Sequence, residues 1–465
     1  MINLIKLELK KIFKKRSFLI LTIIFIMYAI LTNVIYKTIS FNEMTEEIDI
    51  AELKEINKSL DLNNSEDKET YIINLTNIEV YELKNKEKDN TAKFLIDNYL
   101  WDLIYAKNEN LYGLKEENKE HDINLEITNV LNKINDNDWE YFTKQELQEL
   151  KNKFDGADLK NKEKLEELIK LEEYRLDNKL GYDNDNYLCE AINTLKRDIV
   201  EYYNLVNKNS LTKNEEERLL DLKEVREINK YILDNKVDIN NSNSLRAVLK
   251  NFPNEFGLFI LIYIVMISGT IVSEEFNKGT IKFLLTKPYK RSKILTAKLL
   301  TVLLLIPLII IIMSLLEVIV GGLILGFDTL NVPILLYNNG LDTLIVRNIF
   351  VHLVFILLGN LPIYVVLGII CFMLSTITVS SSAAITITFL FYLVSNVISN
   401  LVLMYKIKFL NLFISLHWDF TYLMTYENNP FDFSVLFSLI VIGLYISVIL
   451  GVTYIYFNKK DVKNV

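Results

Sequence analysis

The sequence predicts an all-α membrane protein with six transmembrane helices and a large, mainly helical extracytoplasmic domain between helices 1 and 2. Three observations support this prediction. Six apolar runs are each long enough to cross a hydrocarbon core, which takes about 20 helical residues. A charged segment of about 215 residues separates the first run from the second. The basic residues that flank the runs are concentrated on one side of the predicted membrane.

The apolar runs set the domain boundaries. The six predicted spans are residues 17–37, 253–273, 299–320, 347–374, 383–405 and 433–457. No small-residue cleavage site follows the first run, so we expect it to remain as an anchor and not to be removed as a signal peptide. Residues 1–16 place apolar side chains at helical spacing among lysines. This pattern predicts an amphipathic cytoplasmic helix leading into the first span, although a simple positive topogenic flank would look similar.

The positions of the charges predict the orientation. Sixteen basic residues lie on one side of the spans: Lys6, Lys10, Lys11, Lys14, Lys15, Arg16, Lys278, Lys282, Lys287, Lys290, Arg291, Lys293, Lys298, Lys459, Lys460 and Lys463. The short segments on the other side hold only Lys37, Arg347, Lys406 and Lys408. The positive-inside rule therefore predicts a plasma-membrane protein with both termini, the 274–298 loop and the 458–465 tail in the cytoplasm.

The segment 38–252 is then extracytoplasmic and acidic. It holds 48 Asp and Glu against 31 Lys and Arg, a net charge of −17, whereas the rest of the chain holds 11 against 20, a net of +9. Only three glycines interrupt it, and this scarcity of helix breakers favours helices. No basic cluster remains beyond those that topology explains, so we expect no nucleic-acid partner.

Local patterns in this segment predict particular elements. Thr212 and Glu215 have the spacing of a capping box. Asp138 directly precedes an aromatic run and is suited to begin a helix. Tyr71–Leu75 is the best candidate for a short strand because apolar residues partly alternate there.

Beyond the second span, the chain is nearly all membrane. Residues 321–346 form an outer connection, and residues 375–382 form a short inner turn. Residues 406–432 are amphipathic and aromatic, so they lie in the outer interface or re-enter the membrane.

The motifs of common catalytic sites are missing from the sequence. It contains no G-x4-G-K-[ST] phosphate loop and no H-E-x2-H zinc motif, and its three histidines are far apart. We therefore predict a non-enzymatic chain with no catalytic, cofactor or metal site of its own. If ATP and Mg²⁺ are used, another chain must bind them.

Polar side chains inside the spans are costly in hydrocarbon and so are candidates for function. They are Glu317, His352, Asn360, Asn396 and Asn400. One interpretation is an interhelical hydrogen bond or, for Glu317, an interfacial position. The other is a translocation path or gate, which we assign to Glu317, Asn360, Asn396 and Asn400.

The 274–298 loop is the most informative motif. Its spacing is E-x3-G-T-x7-P-x2-R, formed by Glu275, Gly279, Thr280, Pro288 and Arg291. Pro288 is expected to stop a helix. An apolar patch among the lysines comprises Phe276, Ile281, Phe283, Leu284 and Leu285. A generic basic loop would gain nothing from presenting such a patch, so the pattern favours a docking surface for another protein.

The stretch EEFNKGTIKFLLTKPYKRSKILTAKLL, which begins at Glu274, resembles the first cytoplasmic loop of ABC-2-type transporter permeases. The resemblance covers residues 1–37 and 253–465. It implies a membrane subunit that pairs with a second copy or a related permease and with two copies of a separate ATPase. The residues it implies for coupling to the ATPase are Glu274, Glu275, Gly279, Thr280, Phe283, Leu284, Pro288 and Arg291. The large domain at 38–252 departs from compact members of the family.

The resemblance implies ATP-driven export, with an antimicrobial peptide or another amphiphile as the favoured cargo. Two alternatives remain open. In one, the chain is an ATP-coupled mechanotransmitter or sensor whose outer domain acts on a surface partner. In the other, it is a membrane-anchored scaffold or binding protein. Low Gly and Pro with much Lys, Asn and Ile indicate an AT-rich bacterial source.

Overall fold

A computed structural model of the chain describes residues 2–38, 50–112, 117–183, 185–285 and 289–460, without the side chains of residues 117–121 and 284–285. The protein is mostly helical (79%). It divides into two compact units. The bundle unit comprises Met1–Phe41 and Asn241–Val465, and the inserted unit comprises Asn42–Asn240.

Two helices begin the bundle unit, α1 (Ile2–Phe13) and α2 (Arg16–Thr38). Helix α1 occupies most of the range predicted for the amphipathic helix. It buries Ile12 and the single acidic side chain Glu8, while its lysines at positions 6, 10 and 11 are exposed. The charged flank of the first span is therefore a packed element with an inner face.

The inserted unit is built from nine helices in the described residues, and its middle contains one π-helical turn, Ile96–Leu100. The helices are α3 (Ile50–Ser59), α4 (Ser65–Lys84), α5 (Asn90–Leu95), α6 (Trp101–Tyr112), α7 (Glu117–Asn135), α8 (Trp139–Asp155), α9 (Leu159–Asp177), α10 (Tyr187–Val206) and α11 (Lys213–Asn235). Asp138 accepts a hydrogen bond at the start of α8, and the capping box of Thr212 and Glu215 is present at α11, so both predictions are confirmed.

The predicted strand Tyr71–Leu75 is wrong, because these residues lie within α4. Asn64 caps this helix, and Ile72 and Ile78 are buried along it, so tertiary packing overrides the local β preference. The helical prediction for the inserted unit therefore holds at its weakest point.

Besides three short 3-10 helices at Asp328–Asn331, Lys408–Leu410 and Ile414–Leu416, the remainder of the bundle unit contains nine more α-helices and one β-hairpin in the described residues. They are α12 (Leu245–Lys250), α13 (Phe252–Thr270), α14 (Ser273–Asn277), α15 (Ile281–Leu285), α16 (Arg291–Leu325), β1 (Ile334–Asn338), β2 (Thr343–Arg347), α17 (Ile349–Thr378), α18 (Ser381–Tyr405), α19 (Thr421–Thr425) and α20 (Val435–Lys459).

Six of these helices, α2, α13, α16, α17, α18 and α20, are long and apolar enough to cross a membrane, which confirms the predicted number of spans. Helix α17 packs against α13, α16, α18, α19 and α20 and so lies at the centre of the unit. Helices α16 and α17 contain the internal prolines Pro307 and Pro362. Helices α2, α18 and α20 expose most of their apolar side chains, as expected of helices that face lipid.

The hairpin corrects the all-α prediction. Strands β1 and β2 pair antiparallel with Ile334 opposite Arg347 and Asn338 opposite Thr343. Asn338 Oδ1 accepts from the backbone N–H of Gly340 at 3.0 Å, which closes the turn. The sequence signal was an Asn-Asn-Gly turn between two apolar runs, within the stretch interpreted only as an outer connection.

The predicted amphipathic segment 406–432 packs against the interior of the bundle. Ser415 contacts Ser395 and Ser399 of α18, and the Phe420 N–H donates to the carbonyl oxygen of Gly359 at 3.1 Å. Gly359 lies about 15 Å along α17 from its start. A Cβ at Gly359 would lie 2.8 Å from Thr421 Cα, so the close approach requires glycine. Of the two alternatives, these contacts favour re-entry into the membrane.

Candidate functional site

The 274–298 loop is mostly helical. After α13, the short helix α14 ends at Asn277, and two residues later Gly279 has a φ of +68°, the left-handed conformation that glycine adopts without strain. No atom lies within 4 Å of an added Cβ there, so the backbone angle alone explains the residue. Helix α15 follows, and α16 begins at Arg291, so residues 291–298 form the first two turns of a long helix.

Four charged side chains from three helices meet at this loop. We call them the loop charge cluster: Glu8 and Lys11 of α1, Glu275 of α14 and Lys298 of α16. Lys298 Nζ lies 3.0 Å from Glu8 Oε1 and 3.6 Å from Glu275 Oε1. Lys11 Nζ lies 2.7 Å from Glu275 Oε1 and 3.7 Å from Glu8 Oε1. Each lysine thus bridges both carboxylates.

The cluster is balanced in charge, and its two carboxylates and Lys298 are largely removed from water, whereas the side chain of Lys11 is 52% exposed. Lys298 is only 2% exposed, and its ammonium also donates to the carbonyl oxygen of Ile271 at 2.8 Å. Burying an unpaired ion costs several kcal/mol, so an ammonium at this position requires its two carboxylate partners. The ion pairs of the cluster therefore hold α1, α14 and α16 together.

The protonation of Glu275 follows from the same contacts. Burial alone would raise its pKa, but the hydrogen bond from Lys11, the charge of Lys298 and a hydrogen bond from the Thr280 hydroxyl lower the pKa to about 2. Glu275 is therefore a carboxylate at neutral pH. Thr280, predicted for coupling, fixes this carboxylate within the loop.

Glu274 forms a second link between the first helices and the loop. Its Oε1 lies 2.7 Å from Lys15 Nζ, which also donates to the Thr270 hydroxyl at 3.2 Å. Lys278 lies 3.4 Å from the other carboxylate oxygen of Glu274. The junction between α1 and α2 is thus fixed to the end of α13 and the start of α14.

The end of α20 closes the same region. Arg291 Nη1 donates to the carbonyl oxygens of Lys460 at 2.7 Å and Asn458 at 3.3 Å, so this predicted coupling residue caps the last turn of α20. The Lys460 ammonium lies 5.2 Å from the ring centroid of Phe276. The chain therefore brings its N-terminal helix, the loop and the end of its last helix to one end of the bundle.

The predicted apolar patch is divided between the core and the surface. Phe276 and Ile281 are buried, with Phe276 packed edge-to-face against Phe457 at 6.4 Å. Phe283 is 75% exposed. The side chain of Leu284 and the whole of Pro288 lie outside the described residues. The prediction that all five apolar residues form one surface patch is therefore wrong for Phe276 and Ile281, because their side chains fill the space beneath the loop.

The polar residues predicted within the spans do not form one site. Glu317 is fully buried in α16 and its Oε1 accepts from the Asn33 amide of α2 at 2.7 Å. Asn360 is buried and donates to Ile356 within its own helix at 3.2 Å. Asn396 and Asn400 are exposed on α18. Among the described residues, no group of three His, Cys, Asp or Glu side chains could hold a metal ion.

Four residues of the site were missed from the sequence: Glu8, Lys11, Lys298 and Asn33. A signal existed for two of them, because Glu8 is the only acidic residue in positions 1–38 and Lys298 is the only charge in positions 294–316. A lone charge of opposite sign in a basic helix, or within an apolar one, indicates a partner elsewhere. Lys11 carried no such signal, being one of many lysines.

Nearly the whole chain is similar to a known protein family. A family model described as "ABC-2 family transporter protein" matches residues 2–462. The chain is similar to the uncharacterized protein YhcI of Bacillus subtilis (strain 168), with 25% identity over 246 residues, which are 52% of this chain and 77% of that protein. It is also similar to the uncharacterized membrane protein YdbK of the same organism, with 25% identity over 200 residues, or 43% of this chain and 76% of that protein. Both relatives are therefore shorter than this chain. No solved structure matches the chain significantly.

Proposed function

Because the chain belongs to the ABC-2 family of transporter proteins, we propose that it is the permease of an ATP-driven exporter, and that a separate ATPase drives it through α1 and the 274–298 loop. The family generally supplies non-catalytic membrane subunits. ATP and Mg²⁺ would then be bound and used by the partner chain. The export path would be formed by the bundle unit in the cell membrane.

Orientation is supported by the contacts at one end of the bundle. Lys15 pairs with Glu274, Arg291 caps α20, and Lys460 donates to the carbonyl oxygen of Ile377 at the end of α17 at 3.4 Å. These bonds bring most of the basic flanking segments to the same end. Under the positive-inside rule that end is cytoplasmic, which makes both termini cytoplasmic and the inserted unit extracytoplasmic.

The loop charge cluster is the observation that carries the proposal. An ATPase that pushes on α14 and α15 would act on Glu275, and through it on α1 and α16. Since removal of Lys298 or of either carboxylate leaves buried charge of the opposite sign undercompensated, the three helices resist separation and would move as one body. Helix α16 spans the membrane, so such a movement would reach the other side.

The surface that would meet the ATPase is basic with aromatic side chains. Lys278, Lys282, Phe283, Tyr289 and Lys290 are exposed there. Aromatic side chains are enriched at protein interfaces, and exposed lysines beside one suit an acidic partner. We assign the docking contact to Phe283, and the support of that contact to Gly279, Thr280 and Glu275.

A second permease copy is proposed to cover α18. Asn396 and Asn400 are one helical turn apart and exposed on the surface of an otherwise apolar span. An amide that faces lipid has no hydrogen-bond partner, so these side chains are better placed in a dimer interface or a shared path. A related permease with matching polar groups would serve equally.

The test is purification of the full chain from cells that co-express the genes adjacent to its own. We expect the ATPase to co-purify with the wild type and to be lost with Phe283→Asp. The matched control is Leu159→Asp in the inserted unit, where the leucine is 84% exposed. Equal recovery of an ATPase with both variants, or none with the wild type, contradicts the proposal. An amphiphilic cargo stays a prediction, to be tested by transport of labelled peptides into vesicles.

A mechanotransmitter is the second candidate function. The observation that favours it is the inserted unit, a compact body from Asn42 to Asn240 with two hydrophobic cores of its own. Replacing that unit with a short linker distinguishes the two functions. Transport that survives the deletion supports the exporter alone, whereas ATPase activity that persists while resistance or signalling is lost favours the mechanotransmitter.

A further inference from the structure

Glu317 is a buried acid that takes no part in the proposed contact between the 274–298 loop and the ATPase. It lies toward the end of α16 that is remote from the loop charge cluster and is 0% exposed. Among the described residues, it is the only acidic side chain in the six long helices apart from Glu255 in the first turn of α13. A carboxylate in such a place is expensive unless a cation or several donors compensate it.

The donors that Glu317 finds are too few for a carboxylate. Its Oε1 accepts one hydrogen bond, from Asn33 Nδ2 at 2.7 Å, and its Oε2 is buried without a hydrogen-bond partner. Asn33 is also 0% exposed. The Asn33 side chain also has one unsatisfied atom. Its Nδ2 donates to the carbonyl oxygen of Ala29 at 2.8 Å as well, but its Oδ1 is buried without a hydrogen-bond partner. Two unsatisfied acceptors therefore belong to two side chains already in contact.

The space between these groups is closed to a larger ligand. A Cβ at Gly321 would lie 2.8 Å from Glu317 Oε1, 2.9 Å from Asn33 Oδ1 and 2.6 Å from Leu245 Cδ1. The glycine is needed because the acid and the amide occupy the room that any side chain would use. In the part of the chain that the structure describes, no group of three His, Cys, Asp or Glu side chains could hold a metal ion, whereas a proton needs only one donor oxygen and one acceptor.

Five charged or histidine side chains in the described part of the chain lie on the helices that pack against this end of α16, and three of them form hydrogen bonds to groups other than Glu317. They are Lys37 of α2, Arg246 and Lys250 of α12, Glu255 of α13 and His352 of α17. The ammonium of Lys37 donates to the carbonyl oxygen of Ile324 at 2.9 Å, and the Arg246 guanidinium donates to that of Pro333 at 2.9 Å. Glu255 accepts from the Tyr36 hydroxyl at 2.9 Å. No hydrogen bond or ion pair found among the described residues joins any of these groups to Glu317.

We propose that Glu317 and Asn33 form a proton-binding site within the membrane, in which one proton on Glu317 Oε2 satisfies both orphan acceptors and fastens α2 to α16. A carboxylic acid and a primary amide form two complementary hydrogen bonds, N–H to carbonyl and O–H to carbonyl, and one of these is already present. Deprotonation leaves two unsatisfied acceptors and an unpaired buried charge, which favours separation of the helices and entry of water. The site does not depend on the ATPase or on the docking surface.

Infrared difference spectroscopy of the full chain tests the protonation state directly. In a detergent without ester groups, the spectrum of the wild type minus that of Glu317→Gln is expected at pH 7 to contain the C=O band of a carboxylic acid that shifts in D2O. Asn33→Leu should move this band to higher frequency because a hydrogen bond is lost. Glu255→Gln is the matched control and should leave the band in place.

Thermal unfolding supplies a second readout that a merely structural acid would not give. Glu317→Gln keeps the shape and supplies an N–H to Asn33 Oδ1, so it should fold like the wild type at neutral pH and retain its melting temperature as the pH is raised. The wild type should lose melting temperature over the same alkaline range. Carboxylate bands for Glu317 at pH 7, or an identical pH response in both proteins, overturn the proposal. A stabilisation by Na⁺ over K⁺ that requires Glu317 would identify a sodium site and overturn it as well.

Discussion

Each unit contains a cluster in which buried charges are neutralised by charges of the opposite sign. The two clusters differ in how far apart their residues lie in the sequence. The inserted-unit cluster comprises Glu146 of α8, Glu172 and Arg175 of α9, and Lys196 of α10. Lys196 Nζ lies 2.8 Å from Glu146 Oε2, and Arg175 Nε lies 3.5 Å from Glu172 Oε2. Like the loop charge cluster, it pairs two cations with two carboxylates, so neither leaves a net buried charge.

What differs is what each cluster joins. The Lys196–Glu146 bond spans 50 residues, between helices that are close in the chain. The Lys11–Glu275 and Lys298–Glu8 bonds span 264 and 290 residues. The inserted-unit cluster joins helices that are close in sequence and that already pack together. The loop charge cluster instead fixes the N-terminal helix to a loop that follows the inserted unit in the sequence. The first cluster therefore joins neighbouring helices of one unit, and the second joins helices that are far apart in sequence.

The largest effect is expected from removing one buried cation. Lys298→Met leaves Glu8 and Glu275 with Lys11 alone, and breaking a buried pair in this way costs about 3–5 kcal/mol. We expect loss of hydrogen-exchange protection in α1 and loss of ATPase coupling. Lys196→Met in the inserted unit should destabilise by a similar amount and leave protection in α1 unchanged.

The exposed Lys293, on the same helix as Lys298, supplies the control for that experiment. Lys293→Met should leave both α1 and the coupling intact. Retained protection of α1 in Lys298→Met, measured by hydrogen exchange and mass spectrometry, would show that the cluster does not hold the helix.

The two clusters should differ next in their response to acid. The pKa of Glu275 is lowered from its ordinary value of 4.5 to about 2, so its stabilisation is fully present above pH 4.5 and is lost as the pH falls through 2. Burial is the main reason that the pKa of Glu172 is raised, so its stabilisation is present below pH 4.5 and declines as the pH rises.

Hydrogen exchange corrected for the intrinsic pH dependence measures both effects in one sample. Acidification from pH 5 to 3 should weaken the protection of α1 in the wild type. In Glu275→Gln, α1 should already be weakened at pH 5 and change little. Parallel responses of α1 and α9 would contradict the difference between the clusters.

A smaller effect is expected at two glycines that lie just after helices. Gly279 has a φ of +68°, so Gly279→Ala should cost about 1 kcal/mol by straining the end of α14. Gly156 ends α8 with a φ of −98° and open space around its Cβ position, so Gly156→Ala should be neutral or stabilise by about 0.5 kcal/mol. Chemical denaturation of the two variants checks the sign, and equal effects would show that the backbone angle of the loop is unimportant.

The smallest effect is expected at an exposed ion pair of the inserted unit. Arg218 donates to both carboxylate oxygens of Glu201 at 2.9 and 2.7 Å, but both side chains are about half exposed. Water and salt compete for such charges, so Arg218→Ala should give no measurable change in the denaturation midpoint. A large loss there would show that exposure does not separate the important charges from the unimportant ones.

The parts of the fold that the sequence predicted are those encoded within short windows. Apolar runs longer than a bilayer is thick predicted six spans, and the Thr212–Glu215 spacing predicted a helix start. Tyr71–Leu75 failed because its residues pack into α4, which a window of five residues does not reveal. The hairpin Ile334–Arg347 was missed because short apolar strands beside long apolar spans look like more of the same pattern.

The sequence predicted where the candidate site lies, in the 274–298 loop, but not all of the residues that form it. The Gly279 break and the Glu275 carboxylate are local features of the loop, and the structure gives both a physical reason. Glu8, Lys11 and Lys298 could not be assigned to it because no local pattern states which of many charges meet across more than 250 residues. Arg291 was expected at a docking surface, whereas its guanidinium caps α20, a contact that the spacing alone could not show.

The claim that α1 and the loop move as one body is tested most directly by distances between spin labels. With Cys189 and Cys371 replaced by serine, labels at exposed Lys6 and Asn277 report on the joined helices α1 and α14, and a label at exposed Leu341 reports on the hairpin. In the complex with its ATPase, we predict an unchanged Lys6–Asn277 distance and a changed Asn277–Leu341 distance between the nucleotide-free and trapped states. A change in the Lys6–Asn277 distance on nucleotide binding would contradict a rigid connection between α1 and the loop.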